Sequence, residues 1–168
     1  MKSSATLDGV AEAAATAAAP VSADFHRLGL AGCIDRLTVP LRRQGTCVHW
    51  ETPHHGLEIP AGCATLLYRS AQEALDNAFR HAHATDVTVR LTAVFHGIRL
   101  TVADNGKGFG KRSAGHTGSG NSSFPEAADG GRHGLRTMST EVQEAGGTVA
   151  ISSEPGTGTE VTVTIPLD

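Results

Sequence analysis

The chemistry-bearing residues of this chain fall into four short clusters. Asp104-Asn-Gly-Lys-Gly-Phe109 follows directly on an apolar run at 98–103, which places a carboxylate at the end of a predicted strand and beside two glycines. An ionised Asp only accepts hydrogen bonds, which suits the exocyclic amine of a flat ring such as adenine. Gly106 and Gly108 allow a close backbone approach or a positive φ. Upstream, Glu73, Asn77 and His81 recur every fourth residue with Arg80 beside them, so a helix would carry all four on one side. The Asn77 amide oxygen suits Mg²⁺, a hard cation that keeps most of its waters and takes few protein ligands. Glu73, one turn away, suits a magnesium-bound water or an attacking group, and Arg80 or His81 suits phosphate oxygens. Gly131-Arg-His-Gly134-Leu135 opens a helix whose free N–H groups favour phosphate, and Gly156-Thr-Gly-Thr159 adds a hydroxyl. Taken singly, these are a solvated helix face, a hairpin turn and two ordinary turns. Four in this order point to a nucleotide site.

Other sites of similar appearance are excluded by what is missing. There is no Gly-x4-Gly-Lys-Ser/Thr phosphate loop, and the later carboxylates of an EF-hand calcium loop are absent. The histidine pairs 54/55 and 81/83 have no coherent metal-site spacing.

Elements able to position these residues can be read from the pattern. Phe25, Leu28, Leu30, Ile34, Leu37 and Leu41 suggest an amphipathic helix over 24–44, weak at Gly29, Gly32 and Pro40, with Pro40 expected to kink or end it. Residues 46–51 alternate as a strand, and Pro53-His-His-Gly56 reads as a turn. Pro60 introduces a long helix over 61–82. Its stripe of Leu67, Ala71, Ala74, Ala78 and Ala82 is small enough to sit close against a sheet, roughly 120° from the Asn77 face. Residues 87–94 and 98–103 form a hairpin turned at Gly97, and a helix over 135–145 ends at Gly146-Gly147. Strands at 148–153 and 159–165 close the chain. Between them, 110–131 is a Gly/Ser-rich loop expected to act as a lid. Hairpins dominate, which predicts an α/β two-layer sandwich: a mixed, mostly antiparallel sheet with helices on one face.

The chain's 168 residues suffice for one domain with a core. A formal charge of −3, scattered basic residues and few aromatics give no bulk attraction for nucleic acid. No stretch reaches the ~18–20 apolar residues of a membrane span, so no direct membrane insertion is expected. Residues 1–22 are alanine-rich but interrupted by Asp8 and Glu12, unlike a signal peptide, and read as a flexible leader. Cys33, Cys47 and Cys63 are odd in number and widely spaced, as expected of buried or inert thiols in a reducing cytoplasm.

The motifs also carry a family resemblance. Glu73-Ala-Leu-Asp-Asn77-Ala-Phe-Arg80-His81-Ala82 resembles the N box of GHKL ATPases in the form typical of bacterial sensor histidine kinases. The 104–109 segment resembles their G1 box, 131–135 the G2 box, and 156–159 the glycine turn before the last strand. Leu67-Tyr-Arg-Ser-Ala-Gln-Glu73 is similar to the nitrate-sensor-like subfamily, and the whole resemblance covers about 46–167. It implies that Asn77 coordinates Mg²⁺ and Asp104 binds the adenine amine. It further implies that Gly106 and Gly108 shape the adenine pocket, that Gly134 meets phosphates with Leu135 beside it, and that Thr159 supports the adenine contact. Arg80 and His81 fall among the ATP-binding residues, and Glu73 matches the general base of hydrolysing relatives.

Two departures stand out. Arg132 occupies the first glycine of the usual Gly-x-Gly-Leu, and the acceptor helix with its His-Asp pair is missing. His26 is the sole histidine near that region, in surroundings similar to the second helix of a dimerisation hairpin. The resemblance therefore implies a leader (1–22), a remnant of the dimerisation helix (23–45) and an ATP-binding catalytic domain (46–168). Its γ-phosphoryl would pass to a histidine on another chain or dimerisation domain, and then to a response regulator. Rival readings are an anti-sigma-type serine kinase of the same fold and a non-catalytic ATP-responsive binding module.

Overall fold

The computed structural model describes residues 22–52, 58–108 and 131–167. The expected leader, the turn at 53–56 and the lid over 110–130 lie outside the described residues. Helices α1 (Ser22–Leu37) and α2 (Val39–Arg43) lead into strand β1 (Cys47–Glu51). Helix α3 (Ala61–Asn77) follows and continues as a π-helical turn, Ala78–Ala82. Next come β2 (Asp86–Val94), β3 (Gly97–Asp104), α4 (Gly131–Glu144), β4 (Thr148–Glu154) and β5 (Gly158–Pro166).

The strands form one sheet in the order β1-β2-β3-β5-β4. β1 and β2, joined through α3, run parallel; all other neighbours are antiparallel. The two faces of the sheet differ in chemistry, as alternation along a strand requires. Val87, Val89, Ile98, Leu100, Val102, Val161, Val163 and Ile165 are buried on one face. The other face carries Arg90, Thr101, Thr162, Arg99 and Thr164, with Thr101 Oγ1 3.3 Å from Thr162 Oγ1 and Arg99 Nε donating to Thr164 Oγ1 at 3.2 Å. Helices therefore have one apolar face to cover, and the two-layer α/β sandwich follows.

α3 seals that face with the small-residue stripe expected of it: Leu67, Ala71, Ala74, Ala78 and Ala82 are all buried. α4 adds Leu135, Met138 and Val142 at helical spacing. Full burial of each leucine or valine contributes roughly 1.5–3 kcal/mol, so these faces fix where the helix ends stand relative to the sheet.

The segment over 24–44 breaks at its expected weak points. Gly29 (φ 68, ψ 170) interrupts its first part, and α1 ends at Leu37, just before Pro40, which sits in the first turn of α2. Thr38, fully buried between the two helices, donates its hydroxyl to Asp35 O at 2.6 Å. This segment also shares the core: Leu30, Ile34 and Leu41 are buried with the α3 alanines, and Phe25 meets Tyr68 edge-on at 5.9 Å. Finally, Gly97 does not make the hairpin turn. Phe95 and His96 (φ 51) do, while Gly97 lies in β3, where a Cβ would press to 2.7 Å from the Ile165 carbonyl oxygen. Among the cysteines, Cys33 is buried, Cys63 half-buried and Cys47 exposed. No described helix is long and apolar enough to cross a membrane.

Candidate nucleotide site

The last residue of β3 is Asp104, paired in register with Thr159 of β5. The chain then turns sharply, and three backbone contacts hold the turn. Gly106 N–H donates to Asp104 Oδ1 at 2.9 Å, Lys107 N–H to Ala82 O at 2.8 Å, and Gly156 N–H to Lys107 O at 2.7 Å. This close docking explains the glycines. A Cβ on Gly106 would run into the Ala82 carbonyl, one on Gly108 (φ +64) into the Glu154 carbonyl, and one on Gly158 (φ +115) into the Asp104 carbonyl. The sequence segments 82, 104–108 and 154–158 thus form one tightly packed corner.

A cleft opens beside that corner. It is lined by Ala74, Asn77, His81 and Ala82 of the α3 wall, Val102, Asp104 and Gly108, Leu135 of α4, and Thr159 and Val161 of β5. The space within it, open mouth included, is about 380 Å³. Six of the residues predicted from sequence therefore share one cavity: Asn77, His81, Asp104, Gly108, Leu135 and Thr159. Apolar Val102, Val161, Ala74 and Leu135 would face a flat ring, with Asp104 as a convergent polar group.

The other predicted residues stand around the cleft. Gly106 is buried beneath the Asp104 turn, against Ala82. Gly134, in the first turn of α4, lies so close to the Glu73 carboxylate that a Cβ there would collide with it, so Glu73 bridges α3 and α4. Arg80 is exposed and outside the lining, with Nε on Asp76 Oδ1 at 3.0 Å. The Thr159 hydroxyl lies 2.9 Å from Ser153 Oγ. Arg132 belongs to the first turn of α4, and its side chain is outside the described residues.

Burial sets the electrostatics. It raises the Asp104 carboxyl above the usual carboxylate range, and backbone hydrogen bonds from Gly106 and Thr159 pull it partly back. Glu73 is raised too, first by burial and then by the negative charges of Asp76 and Glu141, against the opposing pull of Arg80. Asn77 buries its amide nitrogen with no hydrogen-bond partner. An orphaned buried polar atom costs about 1–3 kcal/mol, so a ligand that pairs it recovers that cost. Turning the amide over exchanges nitrogen for oxygen at that place. The residues therefore fit a magnesium ion bound through one amide oxygen with phosphate and water completing its shell. No group of three His, Cys, Asp or Glu converges among the described residues.

Comparison with known proteins identifies the architecture. Residues 62–168 match the family of histidine kinase-, DNA gyrase B-, and HSP90-like ATPases. The chain belongs to this ATPase family. The matched stretch contains every lining residue of the cleft. Sensor histidine kinase LiaS of Bacillus subtilis is 32% identical over 126 residues, which is 75% of this chain and 31% of LiaS. Sensor protein VraS of Staphylococcus epidermidis is 34% identical over 111 residues, 66% of this chain and 28% of VraS. The chain thus spans less than a third of the length of these relatives. The same ATPase fold recurs in the histidine kinase domain of the Erythrobacter litoralis EL346 blue-light activated histidine kinase (TM-score 0.62, 23% identity, 83% of this chain and 59% of that one). It recurs again in Acinetobacter baumannii histidine kinase AdeS (TM-score 0.60, 14% identity, 81% and 64%).

Some residues of this candidate site escape a reading by motif. Asn105 takes part in holding the Asp104 turn, and Ala82 supplies the carbonyl that Lys107 binds. Gly158, seen in sequence only as part of a turn, is required by its contact with Asp104. Asn105 carried a signal, since an Asn flanked by an acid and a glycine often bonds nearby backbone groups. Ala82 carried none, because its contribution is a main-chain oxygen.

Proposed function

We propose that this chain is the ATP-binding catalytic domain of a two-component sensor histidine kinase acting in the cytoplasm, with ATP and Mg²⁺ as cofactors. The observation that carries the reading is the convergence of Asp104 and Asn77 on one cleft. In this reading Asp104 accepts the adenine amine, while Val102, Val161 and Leu135 cover the ring and Thr159 supports the contact from β5. Asn77 holds the metal. The first turn of α4, reached at Gly134, receives phosphate oxygens, His81 in the lining meets the outer phosphates, and Arg80 joins it by leaving Asp76. When bound, magnesium neutralises charge on the phosphates, and phosphoryl transfer then needs mainly positioning. In this reading Glu73, beside Gly134 of α4, accepts a proton from an attacking group, and its raised position above the usual carboxylate range supports the role.

In this scheme a histidine of a dimerisation domain or of a separate chain accepts the phosphoryl group, and a response regulator receives it next. Residues 23–45 correspond in this scheme to the second helix of the dimerisation hairpin, here packed onto α3, with 46–168 as the catalytic domain and 110–131 as the lid. The reading is supported by the relatives LiaS and VraS, both sensor proteins by name.

Incubating the chain with labelled ATP, Mg²⁺ and candidate acceptor proteins tests this. An acid-labile, alkali-stable phosphohistidine on a partner is the expected product. Phosphoserine, which survives acid, would place the chain with the serine kinases instead. Tight ATP binding with no transfer to any partner would make it a nucleotide-responsive binding module, an outcome to which Arg132 in the glycine-rich turn lends weight.

A further inference from the structure

The Asp104 turn is anchored by a side chain that faces away from the cleft. Asn105 uses its whole amide. Its Oδ1 accepts the N–H groups of Thr85 and Asp86, each at 3.0 Å. Its Nδ2 donates to Thr85 Oγ1 at 2.8 Å and to Asp86 Oδ2 at 3.2 Å. An amide offers two donors and one oxygen with two lone pairs, so these four bonds exhaust it. The backbone N–H of Asn105 also donates to Asp86 O at 3.2 Å. The receiving platform is itself braced: Asp86 holds His49 Nε2 at 3.0 Å and Thr85 Oγ1 at 2.7 Å, and Cys47 N–H donates to Thr85 O at 2.8 Å.

We propose that Asn105 is a positioning residue for adenine recognition: it locks the Asp104–Gly106 turn onto the start of β2 and so fixes the direction of the Asp104 carboxylate. The inference rests on the reading of Asp104 as the adenine acceptor. The physical need is clear from the neighbours. Gly106 and Gly108 flank the turn, and glycine backbone is the most costly to immobilise. The bond that aims the carboxylate, Gly106 N–H to Asp104 Oδ1, lies within that same stretch, whose far end is held at Lys107 by Ala82 and Gly156. Without the Asn105 side chain its near end keeps only the Asn105 N–H to Asp86 O bond, each binding event would have to finish ordering the turn, and affinity would fall by that amount. Only an amide satisfies this platform. Aspartate would set a second carboxylate against Asp86, and serine or alanine cannot span four partners.

The test separates aiming from folding. In Asn105→Ala, affinities for adenosine and for Mg-ATP measured by calorimetry should each fall about tenfold, while inorganic tripolyphosphate, which never meets Asp104, should change less than about twofold. In the nucleotide-free chain, hydrogen exchange of the Gly106 amide should quicken by about tenfold as its turn loosens. Asn105→Asp should do at least as much damage. Combining it with Asp86→Asn should restore affinity and protection, because the introduced amide again faces a carboxylate.

Unchanged Gly106 exchange in Asn105→Ala, or faster exchange with unchanged adenosine affinity, would overturn the proposal. So would an equal loss for tripolyphosphate, which signals general loosening, or a failed rescue in the double variant. Should the unaltered chain bind no adenine compound, the nucleotide reading itself fails and this role with it. The Gly106 measurement would then still report on the anchor alone.

Discussion

On the β3–β5 wall of the cleft, Asp104 and Thr159 are tied to hydrogen-bond partners before any ligand arrives, and Asn105 and Ser153 of β4 brace them from behind. On the α3 wall, Asn77 buries an amide nitrogen with no partner and Arg80 is held at the surface by Asp76. The contrast follows from what each wall would meet. A purine is rigid, so its acceptor gains by being fixed in advance. A triphosphate with its metal is flexible and highly charged, and the groups that meet it must keep unused bonding capacity. Such capacity costs stability in the nucleotide-free chain, and so does the buried charge of Asp104.

The sharpest break of this comparison is steric. Gly158→Ala or Gly108→Ala would force a Cβ at positive φ into a backbone carbonyl of the base wall. Each should lower stability by about 3 kcal/mol, read from the shift in urea midpoint. Gly156 also has a positive φ (+76), but open space surrounds it, and Gly156→Ala should cost only about 1 kcal/mol. Equal losses at 156 and 158 would show that the corner is not close-packed, and the idea of a preset base wall would go with it.

Asp104→Asn should separate function from stability. ATP affinity should fall roughly 10- to 100-fold, the range for a hydrogen bond to a charged group. The nucleotide-free chain should melt no lower than before. The sign follows from the carboxyl's raised position in the folded state. The folded chain binds the proton more tightly than the unfolded one. Asp104's contribution to stability is therefore present at low pH and is lost as pH rises from the ordinary carboxylate value, about 3.9, through the higher folded value. The substitution removes that slope. A melting temperature well below that of the parent would mean that the charge stabilises the turn.

On the other wall, Asn77→Ala should act on the metal. The ratio of ATP affinity with Mg²⁺ to that with a chelator should drop about tenfold toward one, measured by titration. Stability should hold, since the change removes an orphaned buried atom. A variant that keeps its full magnesium effect would end the assignment of Asn77 as metal ligand.

How much of this was legible in the sequence depends on where each contribution resides. Leu67, Ala71 and Ala74 announced a buried stripe through side-chain spacing, and the strands announced themselves by alternation. The Asp104 and Asn77 clusters could be placed on one site because their residue types are informative. Gly29 and Pro40 could be marked as weak points of the first helix, and the chain does break at Gly29. The π-helical turn at Ala78–Ala82 and the pairing of α1 with α3 could not be read, because they depend on tertiary packing rather than local pattern. Gly97 misled for a related reason. Glycine serves turns and close approaches alike, and only the Ile165 carbonyl distinguishes them. Nor does a sequence say whether Arg80 faces the cleft or, as here, Asp76.

That last pair gives the smallest expected effect and the finest test of the α3 wall. Arg80 and Asp76 form an exposed i,i+4 ion pair, worth about 0.3–0.5 kcal/mol, so Arg80→Ala and Asp76→Ala should each shift stability by no more than that. Their effects on ATP should differ in sign. If Arg80 exchanges Asp76 for a phosphate when nucleotide binds, Arg80→Ala should weaken ATP about threefold, and the loss should shrink as salt screens the exposed charge. Asp76→Ala should strengthen binding slightly, because the guanidinium no longer has a partner to leave. A loss of ATP affinity in both variants would show instead that the ion pair is wanted intact. Arg80 would then belong, like Asn105, to the parts of the site fixed before the ligand arrives, and the division between the two walls would run at Asn77 alone.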